Sequence, residues 1–262
     1  MMLRPQSWLL AVAISAVLGA GLSGPAGAAG KEEFRIENKI FVDGEKEPQV
    51  LSTTIFQDGV VYDYLADPAE VTVFDVQRRR FVLLDLERRI KTELTTDRVA
   101  SFSKRLKQWA QEQSDPFLKF LGDPRFDEAL DESTGELTFT SPRMSYRLTT
   151  LDTESEALSR QYREFCDWYC RLNTVLNPGA RPPFARMIVN AALEEHHLFP
   201  REVHLTMQPK GGLLSKRVTV RSEHLLIRQL VESDRKRVAQ TDQFMAMYAS
   251  VGFQEYQRKL GD

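Results

Sequence analysis

The sequence predicts an α+β protein built on a curled antiparallel meander sheet, an incomplete barrel, that several helices cover. Apolar and polar residues alternate with the period of a strand from Phe34 onward, and the turns between successive strands are short. The hydrophobic spacing then changes to that of helices in several later stretches. Strands joined by tight turns pair as an antiparallel meander, whereas parallel strands need long crossover connections.

The meander begins at 34–42, where Phe34, Ile36 and Ile40 alternate with charged residues. Further strands follow at intervals of about ten residues. They are predicted at 50–56, 60–65, 70–75, 80–85 and 90–94. The turn after the second strand is assigned to Gln57-Asp58-Gly59, and the next turns are assigned to 66–69, 76–79 and 86–89.

Helical spacing begins after Thr95-Thr96-Asp97, which supplies an N-cap. The residues that follow at helical intervals are Val99, Phe102, Leu106, Trp109 and Gln113. The later elements are a hairpin at 136–140 and 144–148, helices at 154–176 and from Pro182-Pro183 to 196, strands at 202–207 and 217–221 joined by a turn at 209–212, and a helix from Ser233 past Tyr248. Because no long linker interrupts this series, residues 29–262 are predicted to form one domain.

The tight turns also predict the register of the meander. The predicted pairs are Leu65 with Glu70, Asp75 with Arg80, and Asp85 with Ile90. One face then consists of Ile55, Val61, Leu65, Phe74, Phe81, Leu83, Ile90 and Leu94. The other consists of Phe56, Val60, Tyr62, Tyr64, Val71, Val73, Val82 and Leu84. Since both faces are apolar, each needs a cover of helices or of a hydrophobic ligand.

The face that carries the tyrosines is the predicted ligand-binding face. Its candidate lining residues are Tyr62, Tyr64, Val73, Val82 and Leu84. A tyrosine offers a large apolar body with a polar tip, which suits an amphipathic guest. The opposite face is better suited to permanent coverage by the helices.

Residues 1–28 are predicted to be a cleaved signal peptide. Arg4 precedes the apolar run 8–22, and Ala26-Gly27-Ala28 forms an A-x-A cleavage site. The apolar run is shorter than the ~20 residues of a spanning helix, and no cysteine stands at the cleavage point to receive a lipid. We therefore expect a mature chain that begins near Ala29 and is periplasmic or secreted. The G-x-G-x-x-G at 19–24 lies in this leader and predicts no dinucleotide cofactor.

Charge and composition exclude other classes of partner. The 262 residues carry a formal net charge of −2, with 42% hydrophobic and 27% charged residues, as in a soluble globular protein. A near-neutral chain is not expected to bind nucleic acid, because phosphate binding needs a basic surface. The arginines at 78–80 and 88–89 fall in successive turns, hence at opposite ends of the meander. At most, one end is expected to make a transient contact with a membrane surface or an anionic partner.

Cys166 and Cys170 stand four residues apart on a predicted helix. At that spacing the Cβ atoms are about 5–6 Å apart, which disfavours a relaxed disulfide. The alternatives are a strained structural disulfide and a pair of thiols packed in the core. A redox or copper site finds no support in the neighbouring residues.

The remaining chemistry-bearing residues predict neither a metal site nor an enzyme. His196 and His197 are adjacent on a helix and point about 100° apart, so they are poorly placed to share an ion. His204 is out of phase with its apolar neighbours, and the fourth histidine is His224. The chain contains no G-x-S-x-G, H-E-x-x-H or P-loop motif. No catalytic residue, metal or cofactor is therefore predicted.

The order of elements resembles that of the LolA/LolB-like lipoprotein-carrier superfamily. The similar features are the strand pair 71–75 with 81–85 and the strand entry Pro200-Arg201-Glu202-Val203-His204-Leu205. The resemblance implies a curled, incomplete barrel, helices across its open side and a cavity that accommodates lipid. Relative to such carriers, the long central helices and the helical C-terminus are additions, and no helix is predicted before the first strand.

The leading hypothesis is an exported, non-enzymatic cell-envelope protein that binds or carries a hydrophobic or lipid-like ligand, such as a lipid-modified protein. The alternative is a structural or protein-interaction module with a fully packed interior and no ligand. An envelope enzyme with an unrecognised site is the third hypothesis. A continuous apolar cavity between the sheet and the helices distinguishes the first from the second, and converging polar groups with shifted pKa values in a cleft would indicate the third.

Overall fold

The structure, a computed structural model, describes residues 31–177, 179–208 and 217–258. The predicted signal peptide and the predicted turn at 209–212 lie outside the described residues. The described part is an α+β fold with a curled, unclosed sheet, as the sequence predicts.

The predicted meander is confirmed strand by strand. Its strands are β1 (Phe34–Val42), β2 (Val50–Gln57), β3 (Val60–Leu65), β4 (Glu70–Asp75), β5 (Arg80–Asp85) and β6 (Ile90–Thr95). The register is confirmed as well, with Leu65 opposite Glu70, Asp75 opposite Arg80, and Asp85 opposite Ile90.

The rest of the described chain alternates helices with a second group of strands. These elements are α1 (Thr96–Glu112), α2 (Pro116–Gly122), β7 (Asp127–Asp131), β8 (Glu136–Thr140), β9 (Met144–Asp152), α3 (Glu156–Leu176), α4 (Phe184–Glu195), β10 (Leu198–Met207), β11 (Val218–Ile227), α5 (Glu232–Met247), β12 (Ala249–Ser250) and α6 (Phe253–Gln257). The sequence did not predict α2, β7, β12 or α6. Strand β7 is short and mostly acidic, and the other three elements are too short to show a clear period.

One sheet contains all of these strands, in the order β12-β6-β5-β4-β3-β2-β1-β11-β10-β9-β8-β7. The late strand β11 lies beside β1, so the closing strands extend the meander from its first strand. All pairs are antiparallel except the short contact of β12 with β6. The two ends of the sheet, β12 and β7, are not joined.

Helix α3 reveals how strongly the sheet curls. The rings of Phe165 and Phe74 on β4 have centroids 6.5 Å apart, and those of Tyr162 and Phe199 on β10 have centroids 5.0 Å apart. Five strand spacings separate β4 from β10, about 24 Å in a flat sheet at ~4.8 Å each. A helix is only ~10–12 Å wide with its side chains. The sheet therefore curls around α3, and we name the face that packs on α1 to α4 the inner face and the opposite one the outer face.

The predicted faces of the meander are correct apart from Ile55 and Phe56, which are exchanged. Gln57 pairs with Val60, so the turn contains only Asp58 and Gly59, with φ of 52° and 74°. Those positive angles are typical of a two-residue type I′ hairpin. A turn of three residues, as the sequence predicts, would differ by one residue, and a shift of one residue moves a side chain to the other face. Phe56 lies on the inner face, stacked on Phe34 at 4.1 Å, whereas Ile55 lies on the outer face.

Helix α1 is confirmed, but the residues at helical intervals along it do not all face the core. Trp109 is 47% exposed, and its neighbour Ala110 is fully buried instead. The cause is the close approach of α2, because a Cβ placed on Gly122 would lie 3.0 Å from the Cβ of Ala110. Only small side chains fit between the two helices, so the indole turns outward.

Candidate functional site

A compact apolar surface lies on the outer face of β2 to β5, and we name it the outer patch. Its residues are Ile55, Tyr62, Tyr64, Val71, Val73, Val82 and Leu84, each no more than 6% exposed. Cross-strand pairing creates it, because Tyr62 lies opposite Val73 and Tyr64 opposite Val71. The sheet thus brings together all five of the sequence-predicted ligand-lining residues.

Helix α5 covers the outer patch with very little apolar surface of its own. Its fully buried residues are Asp234, Val238 and Thr241, so only one of them is apolar. Met245 of α5 and Tyr248 just after it add partly buried contacts at the edge of the patch. The cover over this apolar surface is therefore a mostly polar helix.

Two hydrogen bonds from the patch tyrosines hold the middle of α5. The hydroxyl of Tyr62 donates to Asp242 Oδ1 at 3.2 Å, and the hydroxyls of Tyr64 and Thr241 are 3.0 Å apart. Burial raises the pKa of Tyr64 to about 12, and burial followed by the charge of Asp242 raises the pKa of Tyr62 even further. Both phenols therefore stay protonated, and Tyr62 remains a hydrogen-bond donor to α5.

The two ends of α5 are attached by polar contacts too. At the start, Asp234 accepts hydrogen bonds from Arg35 Nη1 at 2.8 Å and from the Val231 amide at 2.9 Å. At the end, the Val251 amide donates to the Lys91 carbonyl at 2.8 Å, and Lys91 Nζ donates to the Met245 carbonyl. These contacts fix the helix ends to β1 and β6.

The inner face, by contrast, is filled by aromatic and aliphatic side chains of the sheet and of α1 to α4. Phe74 stacks on Phe81 at 4.6 Å, and Phe165 of α3 meets Phe56 edge-on at 5.6 Å. The face that carries Phe81 and Leu94 is thus covered by helices, as predicted, and the permanence of this coverage stays a prediction.

A row of buried polar groups, which the sequence does not predict, crosses the inner face. His224 Nδ1 lies 2.8 Å from Asn38 Oδ1, and its Nε2 lies 2.9 Å from Ser222 Oγ. The Asn38 amide nitrogen donates to Thr54 Oγ1 at 3.1 Å, so its oxygen is left to accept from His224. Burial, followed by the nearby charge of Arg186, lowers the pKa of His224 to about 3. The imidazole is therefore neutral, with its proton on Nδ1.

The row continues to helix α3. Thr54 Oγ1 donates to Asp63 Oδ1, and the hydroxyl of Tyr169 donates to Asp63 Oδ2, both at 2.7 Å. Burial raises the pKa of the Asp63 carboxyl. The sequence signal for this row was weak, since Asn38 is simply a polar residue at an inward position of an otherwise apolar strand.

Ser222, His224 and Asn38 follow the hydrogen-bond order of a nucleophile, a base and an orienting group. Ser222 is only 1% exposed and the basicity of His224 is suppressed, so neither group is prepared to meet a substrate. We interpret the row as a structural connection between β11, β1, β2, β3 and α3.

The other candidate residues from the sequence, the two cysteines and the remaining histidines, do not come together in one site. Cys166 and Cys170 are buried thiols that form no disulfide with each other, which matches the second of the two alternatives, and burial raises the pKa of Cys166. His196 lies 3.2 Å from Glu128, and His204 lies beside Glu202. Within the ranges that the structure describes, no group of three His, Cys, Asp or Glu side chains could hold a metal ion. In the same ranges, no helix combines the length and apolar character that crossing a membrane requires.

The turn arginines lie at opposite ends of β5, as predicted, and several of them have acidic partners. Arg78 bonds Asp75 at 2.8 Å, and Arg88 bonds Asp85 at 2.7 Å. Contact of one end with a membrane surface stays a prediction.

Comparisons with known proteins add no further constraint, so the resemblance to lipoprotein carriers also stays a prediction. No protein-family model matches the chain, and no curated protein matches it at a significant level.

Proposed function

We propose that this protein binds a hydrophobic or lipid-like ligand on the outer patch, with α5 as a displaceable cover. The observation that carries the proposal is the mismatch between patch and cover. The patch is wholly apolar in its centre, whereas α5 buries a single apolar residue deeply, Val238. A surface helix in a permanent contact buries about three to four apolar residues per two turns, and α5 has 16 residues in all.

Displacement of α5 mainly breaks polar contacts, which water can replace. A neutral hydrogen bond contributes about 0.5–1.5 kcal/mol net, and one to a charged group such as Asp234 or Asp242 contributes about 1.5–3 kcal/mol. Exposure of the patch to water, by contrast, costs about 25 cal/mol of free energy per Å² of apolar area. A ligand that covers the patch would remove that cost and so favour the displaced position of α5.

In the cell envelope this site would serve a carrier of acyl chains or of a lipid-modified protein. The ligand would occupy the space between α5 and β3 to β5, and the packed inner face would remain unchanged. No chemical conversion is part of this proposal.

Uptake of a neutral naphthylamine dye, whose fluorescence rises in apolar surroundings, tests the proposal. The double variant Tyr62→Phe with Tyr64→Phe keeps both rings but removes the hydroxyls that hold α5. We expect dye uptake by this variant to be about tenfold faster than by the wild type, since two hydrogen bonds oppose opening.

Tyr146→Phe is the matched control, because Tyr146 is also a buried tyrosine but lies in the inner cluster. It should leave dye uptake unchanged. Absence of dye binding by the wild type and by the double variant would contradict the proposal and favour the alternative of a packed interaction module.

A further inference from the structure

Arg237 occupies an unusual position on α5, at the rim of the outer patch. Its guanidinium carbon lies 3.8 Å from the centroid of the Tyr64 ring. Arg237 as a whole is an exposed residue, and partial burial against the patch lowers the pKa of its guanidinium. Among the described residues, no carboxylate forms an ion pair with it.

The neighbouring cations of α5 are all paired. Arg235 bonds Glu33 at 2.7 Å, and Lys236 bonds Glu232 at 2.6 Å. The carboxylates nearest to Arg237 on the helix are used elsewhere, since Asp234 accepts from Arg35 and Asp242 accepts from Tyr62. Arg237 is thus a cation that stacks on the rim of an apolar site; the charges of Asp234 and Asp63 act on it, but among the described residues no carboxylate bonds it directly.

A guanidinium stacked on an aromatic ring keeps its N–H donors at its edge. Those donors match the paired oxygens of a carboxylate or a phosphate, to which arginine binds through two parallel hydrogen bonds. An anionic group at the rim, joined to an apolar chain, would satisfy the guanidinium and the outer patch together.

We propose that the ligand of the outer patch is an anionic amphiphile, with its carboxylate or phosphate headgroup bound by Arg237 and its chain laid on the patch. This inference rests on the function proposed above and specifies the class of ligand. The binding site therefore consists of an apolar floor, formed by Val71, Val73, Val82 and Leu84, and a cationic rim.

Competition against the neutral naphthylamine dye on the full chain separates the two parts of the site. Laurate carries the anion and the chain, methyl laurate carries the chain alone, and inorganic phosphate carries an anion alone. We expect laurate to displace the dye from the wild type at lower concentration than methyl laurate, and phosphate not to displace it.

The variant Arg237→Gln should weaken laurate binding about tenfold or more and leave methyl laurate unchanged, because charge-assisted hydrogen bonds contribute more than neutral ones. Lys236→Gln removes a cation from the next position of the same helix and is the matched control, expected to change laurate binding less than twofold. High salt should reduce the preference for laurate in the wild type.

Equal laurate affinity in the wild type and Arg237→Gln, with dye still bound, would overturn this inference and leave the proposed function intact. Displacement of the dye by phosphate alone would overturn it too, because the chain would then play no part. Absence of dye binding by the wild type would overturn both proposals.

Discussion

Tyr169 on α3 donates a hydrogen bond of 2.7 Å to Asp63 on β3, and the residues on either side of Asp63 hold a different helix. Because side chains alternate along a strand, Asp63 points to the inner face, and Tyr62 and Tyr64 point to α5. A single strand thus anchors the permanent inner core and the proposed displaceable cover. The two attachments differ in their surroundings, and that difference can be measured.

Truncation of one aromatic residue on each face measures how much the packing of that face stabilises the fold. Phe81 is fully buried and stacked on Phe74, so Phe81→Ala should lower the free energy of unfolding by about 3–5 kcal/mol. Tyr64→Ala should lower the free energy of unfolding by less, because the mostly polar helix α5 can move into the space that the ring leaves. The same variant should weaken dye binding. Urea denaturation and dye titration test both. Equal destabilisation with no dye binding by the wild type would indicate a solid core on both faces.

Replacement of Cys166 and Cys170 together by Ala should have a modest effect. Both are buried and not joined by a disulfide, so the variant loses packing but no covalent link. We expect the free energy of unfolding to fall by less than about 3 kcal/mol, and the wild type to be equally stable with and without a reducing agent. A larger loss, or a wild type that weakens on reduction, would reveal a disulfide.

Acid should weaken the fold through His224. Its pKa is about 3 in the folded protein against 6.5 for an ordinary histidine, so the unfolded chain binds the proton more readily. The resulting stability is fully present above pH 6.5 and is lost as the pH falls from 6.5 towards 3. The slope is up to about 1.4 kcal/mol per pH unit. The raised pKa of Asp63 acts in the opposite direction, since the folded state takes up that proton first.

His224→Asn retains a side-chain donor near Asn38 but does not titrate. Its free energy of unfolding should therefore fall less between pH 6.5 and pH 4.5 than that of the wild type. His197→Asn is the control, because His197 is exposed and its positive φ of 55° is tolerated by Asn. It should keep the wild-type slope. A His224→Asn slope equal to that of the wild type would show that other groups cause the acid sensitivity.

Expression in a bacterial host with intact export machinery tests the predicted signal peptide. The mature chain should begin near Ala29 and appear in the soluble fraction. Intact-mass analysis and N-terminal sequencing measure this. Retention of residues 1–28 on a chain that stays with the membranes would refute the prediction.

The sequence was sufficient to predict the meander because alternation and tight turns are local signals. The same locality explains the error at Ile55 and Phe56, where the size of one turn decides the face of both residues. The local nature of these signals also explains why strand β7 was not predicted, since its mostly acidic sequence at 127–131 shows no apolar period. Local patterns describe each strand well but leave its partners open.

Of the candidate site, only the apolar floor on the sheet could be predicted from the sequence. Tyr62 and Tyr64 could be placed on one face by counting residues. Their partners on α5, Thr241 and Asp242, lie 177 and 180 residues away in the chain, and only the folded sheet brings them together. The contact between His224 and Asn38 spans 186 residues and was missed for the same reason.

The pairing of β1 with β11 has a consequence for how the chain folds. The first strand of the meander gains its second neighbour only when residues 218–227 are available, so the sheet is completed late in synthesis. Contacts between such distant segments slow folding, because a large loop must close before they form. Until then, the edge of β1 that will pair with β11 has unpaired amides and carbonyls, and these groups can associate with other chains. Nascent chains that end before β11 should therefore be the species on which a chaperone acts.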